Sequence, residues 1–130
     1  MSVVNPAYAR NAYTQATVAT NTPLDLVIML YSGAIEYLEG ATHAIENKDL
    51  QTKIKCIDKA IAIICELNNS LNSEDGGEIT ANLENLYLYM SKELVLANIK
   101  NDAGKIDHIV ALLKTIQEGW LDIKSKNPKF

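Results

Sequence analysis

Two cysteines, two histidines and a single tryptophan are thinly spread through these 130 residues, and their scatter removes whole classes of chemistry. Cys56 and Cys65 fall on one helical pattern, nine positions apart. That spacing sets them on opposite faces and roughly 13 Å apart along the axis, beyond a disulfide's reach. His43 and His108 stand alone, outside any E-x-x-H or H-E-x-x-H arrangement, so the zinc and di-iron sites of helical bundles have no ligand set here. No metal, cofactor or catalytic residue is expected. Positive charge is also scarce, 12 Lys and Arg against 16 Asp and Glu, for a net charge of -4. That balance disfavours nucleic acid and anionic lipid as partners.

No apolar run approaches the roughly 18 residues of a membrane span, so membrane insertion is not expected. The start, Met1 to Pro6, lacks the charged head and apolar middle of a secretory signal. The expectation is a cytoplasmic chain, in which the Asn68-Asn69-Ser70 acceptor would go unglycosylated. Gly76-Gly77 follows Glu74 and Asp75, which repel anions, so it reads as a turn rather than a phosphate cradle.

What is present is helix. Thr22-Pro23-Leu24-Asp25 combines a capping threonine, a proline suited to the first helical position and an acid at the positive end of the dipole. Leu24, Val27, Ile28, Tyr31, Ile35, Leu38 and Ile45 then recur at helical spacing. A second seam runs Ile54, Ile57, Ile61, Ile64 and Leu71. A third runs Ile79, Leu83, Leu86, Met90, Leu94 and Ala97, and a fourth Ile106, Ile109, Leu113, Ile116, Trp120 and Ile123. Short connections force neighbouring helices antiparallel, which predicts an all-α, up-down-up-down four-helix bundle over 22–124, with helices near 23–47, 50–71, 77–99 and 102–124. Residues 1–21 read as an N-terminal arm, or a short helix, that caps a groove, and 125–130 as a frayed tail.

The seams leave apolar side chains over. Projection at 100° per residue places Leu26, Leu30 and Tyr37 away from the first seam, adds Ile63 and Leu67 beside the second, and puts Leu88, Val95 and Ile99 nearly opposite Ile79 and Met90. Wide buried faces, self-association and grooves for a partner helix each account for such stripes. In the arm, Tyr13 and Val18 could cover a groove, since a tyrosine buries its ring while keeping its hydroxyl wet.

The run Thr22-Pro23-Leu24-Asp25-Leu26-Val27-Ile28-Met29-Leu30-Tyr31-Ser32-Gly33-Ala34-Ile35 resembles the opening helix of the bacterial flagellar secretion chaperones, the FliS family. Ala44-Ile45-Glu46, Lys59-Ala60, Gly76-Gly77-Glu78-Ile79, Leu86-Tyr87 with Tyr89-Met90, Ala97-Asn98, Asn101-Asp102 and Trp120 continue the likeness over nearly the whole chain. The resemblance implies an antiparallel bundle that binds the disordered C-terminal segment of flagellin, partly as helices in apolar grooves, preventing premature polymerisation and keeping the client fit for type III export. It also implies that Tyr13 packs where client and arm compete. Ser32 departs from an acidic position common in the family, Leu88 replaces an aspartate often found between the two tyrosines, and Ala16 an asparagine. Leu88 makes the third stripe more apolar. An export-gate protein, an anti-sigma factor or a co-chaperone is an additional candidate partner, and the client-free chain is a candidate homodimer. Two rivals stand beside this reading: a self-associating structural bundle, and a phosphotransfer bundle, which would want a Lys and Gly after its histidine where His43 is followed by Ala44, Ile45 and Glu46.

Overall fold

The computed structural model describes residues 22–71 and 73–126, and every described helix belongs to one antiparallel bundle. The helices are α1 (Pro23–Glu46), α2 (Leu50–Asn69), α3 (Ser73–Lys100) and α4 (Ala103–Lys126). Each packs on its two neighbours around a ring, most closely where α1 meets α2 and least closely where α3 meets α4. No strand occurs among the described residues, and no described helix is long and apolar enough to cross a membrane. The proposed arm, with Tyr13 and Val18, lies outside the described residues.

Local chemistry sets the helix ends. Thr22 caps α1 as one half of a capping box, its backbone N–H donating to Asp25 at 3.0 Å while the Asp25 N–H donates to the Thr22 hydroxyl at 3.2 Å. Asp49 caps α2 through the Thr52 N–H at 3.2 Å, and Asp102 serves the Lys105 N–H at 3.0 Å. The tight reversals after α1 and α3 each place one residue at positive φ, Lys48 and Asn101. Gly77, at φ 56° and ψ -131°, interrupts the start of α3 with a backbone that a side chain would strain.

Ion pairs and hydrogen bonds confirm the register. Lys124 pairs with Asp25, Gln117 donates to the Ile28 carbonyl and the Ser32 hydroxyl, and Lys114 reaches Glu39, so α4 runs opposite to α1. Across α2 and α3, the buried Lys53 ammonium donates to the Asn98 carbonyl at 2.8 Å and to Asn101 Oδ1 at 2.6 Å. This satisfies a charge inside the bundle and ties the α3–α4 turn to the start of α2.

Between the helices lies a core of Tyr31, Leu38, Ile57, Ile64, Leu67, Met90, Leu94, Ile106, Ile109 and Leu113, all fully buried. Tyr31 and Tyr87 share a hydrogen bond through their hydroxyls across the interior, from α1 to α3. Burial pushes both hydroxyls above the ordinary tyrosine range, and Tyr87 is pushed further by its bond with Tyr31. Trp120 packs against this core, half-buried, on the side of Tyr31.

Several sequence expectations need correction. Leu30, Ile63 and Leu67, placed outside the seams, are buried, because α1 and α2 approach closely enough to enclose wide faces. Small residues permit that approach: Gly33, Ala34, Ala41 and Ala44 are buried on α1 and Ala60 on α2, and an added Cβ at Gly40 would stand 3.3 Å from the Cys56 sulfur. In α2 the seam is rotated so that Lys53 and Cys56 are inside while Ile54 is exposed. In α3, Thr80 is buried and Ile79 is 71% exposed, so the inner face follows Thr80, Tyr87, Met90, Leu94 and Ala97.

Candidate functional site

The third expected stripe stays outside. On α3, Leu88 is 61% exposed, Val95 49% and Ile99 72%, and at 100° per residue the three project within a narrow arc. Eleven residues separate the first from the last, about 16 Å along a helix, or three turns. Nothing in their own helix hides them.

The opposite wall comes from α2. The Lys53 bonds to Asn98 and Asn101 set one end of the antiparallel register, and a pocket lined by Ile64, Cys65 and Asn68 of α2 with Tyr87, Leu88 and Ser91 of α3 sets the other. Within that register Ile54 stands near the level of Ile99 and Ile61 near that of Val95, and Cys65 shares the pocket with Leu88. Ile54 is 43% exposed, Cys65 is exposed and Ile61 half-buried. The result is an apolar groove between α2 and α3, with a pocket of about 280 Å³ of open space at one end. Ile64 and Tyr87, both buried, belong to the core beneath it.

The groove carries almost no chemistry. No group of three or more His, Cys, Asp or Glu that could hold a metal exists among the described residues. Cys65 and the buried Cys56 are both free thiols, and burial pushes Cys56 above the ordinary thiol range, away from nucleophilic use. His108 is exposed, its ring edge-on to Tyr89, and the exposed His43 lies beside Asn47 at the end of α1. Such a surface can bind by apolar contact and shape.

A second depression, between α1 and α4, has a more polar rim: Ser32, Glu36, Lys114, Gln117 and Glu118 surround Ile35.

Of the residues singled out from sequence, the groove gathers only Leu88, Val95 and Ile99. Leu26 and Tyr37 are half-buried and packed against the core, while Leu30, Ile63 and Leu67 are inside it. Sequence reasoning missed the α2 wall. Ile54 and Ile61 stand one heptad apart and looked like seam residues; the surplus width of α2's apolar face was the available signal. In the sequence Asn68 stands out only as the first residue of the Asn68-Asn69-Ser70 acceptor.

The family model described as "Flagellar protein FliS" matches residues 5–127. The chain is 38% identical to the flagellar secretion chaperone FliS of Bacillus subtilis (strain 168) over 120 residues, covering 92% of this chain and 86% of that relative. It is 41% identical over 106 residues to the flagellar secretion chaperone FliSB of Pseudomonas aeruginosa, covering 82% and 84%. With the flagellar secretion chaperone FliS of Salmonella typhimurium the identity is 39% over 121 residues, covering 92% and 89%.

Proposed function

The chain belongs to the FliS family, a family of flagellar secretion chaperones and not of enzymes, and from that premise we propose that it holds the disordered, helix-forming C-terminal segment of flagellin in the α2–α3 groove. The observation that carries this reading is the row Leu88, Val95 and Ile99, exposed over three turns beside Ile54, Ile61 and Cys65. A disordered client loses conformational entropy when it orders, so its binding site must offer apolar area to offset that loss. An amphipathic client helix with apolar residues at i, i+3 or i+4, and i+7 fits a groove of this length. Occupied in this way in the cytoplasm, the segment is kept from polymerising, and the client stays unfolded enough for type III export. An export-gate protein, an anti-sigma factor or a co-chaperone would be a second partner on another face.

Self-association reads the same stripe differently. Three exposed side chains and one shallow pocket fall well short of the roughly 800 Å² per partner that a standard-size interface buries. A peptide that continues around the bundle can supply the missing contacts; a rigid second copy meeting only this groove cannot.

Isothermal titration of the chain with a C-terminal flagellin peptide tests the proposal. We expect a one-to-one complex, a negative heat-capacity change and a gain of helical signal. Val95→Glu and Ile99→Glu should each weaken binding more than about tenfold, because each sets a charge against the client's apolar face, while the melting temperature stays put. Full affinity in both variants would remove the groove from the client site.

A further inference from the structure

Asn68 lines the pocket at the Leu88 end of the groove, yet its Oδ1 is buried and accepts no hydrogen bond. A shielded acceptor without a donor is costly, and native folds carry few of them. The pocket's other polar side chains do not relieve it. Tyr87 shares its hydroxyl with Tyr31, and neither Asn69 nor Ser91 donates to it; nearby, Ser70 gives its hydroxyl to the Leu67 carbonyl.

Resting on the client groove argued above, we propose that Asn68 determines client specificity by pairing its carboxamide with an Asn or Gln side chain that the client helix carries beside an apolar anchor. Oδ1 accepts nothing in the inward pose, so turning it outward gives up no bond at that atom. The chemistry of the pocket selects the partner group. A carboxamide offers one acceptor and donors in the same plane, so two carboxamides pair reciprocally, each donating one N–H and accepting one. A guanidinium has donors only and would bring an unpaired charge against Ile64, Tyr87 and Leu88. A hydroxyl both donates and accepts, but from a single oxygen, and so matches the side-by-side N–H and C=O of the Asn68 amide less well than a second carboxamide does.

Two variants and a peptide series test the assignment. Asn68→Leu and Asn68→Ala should each lower affinity for the C-terminal flagellin peptide about tenfold, the scale of one lost hydrogen-bonded pair in a desolvated site. Their melting temperatures should hold or rise, since the unmet acceptor is gone. Replacing each Asn and Gln of the peptide in turn by Leu should reveal one position whose loss weakens binding to the parent chain and changes nothing further in Asn68→Leu. Unchanged affinity in both Asn68 variants, or a loss that no peptide carboxamide shares, overturns the assignment. If Val95→Glu weakens binding while the Asn68 variants do not, the groove stands and only the carboxamide pairing fails. If neither change affects binding, the groove reading itself fails.

Discussion

The contact between α1 and α2 and the outer face of α3 began as the same sequence signal and ended as opposite structures. Both showed more apolar positions than one seam needs. On α1 and α2 the surplus was absorbed: Leu30, Ile63 and Leu67 are core, because Gly33, Gly40, Ala41 and Ala60 let the two backbones come close. α3 has Ala97 but few other small residues on its inner face, which Tyr87, Met90 and Leu94 fill. Its remaining apolar side chains therefore have no neighbouring helix to receive them. The size of the residues beside an apolar stripe, more than the stripe itself, decides whether it is buried or left for a partner.

The largest expected effect contrasts the two regions directly. Leu67→Ala should destabilise the bundle by about 2–5 kcal/mol in urea denaturation, the range for truncating a fully buried leucine. Ile99→Ala should stay within about 0.5 kcal/mol, since its side chain already meets water. Comparable losses at the two sites would mean that the α3 stripe is packed in solution, and the contrast would collapse.

A smaller effect tests the reason for the contrast. Gly40→Leu should cost about 1–3 kcal/mol, because even its Cβ would crowd the Cys56 sulfur and hold α1 off α2. Gly119 provides the control: nothing lies within 4 Å of a Cβ added there, so Gly119→Ala should stabilise the chain by up to about 1 kcal/mol through helix propensity alone. If Gly40→Leu were as benign, close approach would not explain the buried faces of α1 and α2.

Elements were more legible in the sequence than faces. The α1 cap could be read from Thr22, Pro23 and Asp25 because capping is local chemistry, complete within four residues. Leu88, Val95 and Ile99 were legible for a related reason: they stand opposite the inner face of their own helix, so a modest error in projection leaves them outside. Ile54 and Lys53 were not. They are adjacent in sequence at the edge of the α2 face, and the usual preference of isoleucine for the interior is overridden by the two acceptors, the Asn98 carbonyl and Asn101 Oδ1, that draw the lysine inward. Those acceptors lie more than forty residues away, beyond the reach of any periodicity. Asn68 illustrates the same limit, since an unmet acceptor can be recognised only once its surroundings are assembled.

The smallest expected effect concerns the end of α1, where the close packing gives way. From Leu24 to Met29 the helix is only half-buried, and Asp25 ties it to Lys124 at the far end of α4. The hydrogen-bonded Lys124 ammonium first, and then the Thr22 backbone N–H, hold the Asp25 carboxyl below its ordinary value of 3.8. A carboxyl depressed in the folded state stabilises that state above its unfolded pKa, and the contribution is lost as the pH falls through the folded one. Asp25→Asn should therefore melt slightly below the parent chain at pH 7, with the gap shrinking as the pH falls below the ordinary carboxyl value of 3.8 and the parent carboxyl takes up its proton. A gap that stayed constant throughout the acid range would assign the effect to the Thr22 capping geometry instead of the ion pair. The end of α1 would then be held by its own first turn, and α4 would contribute only through its packing.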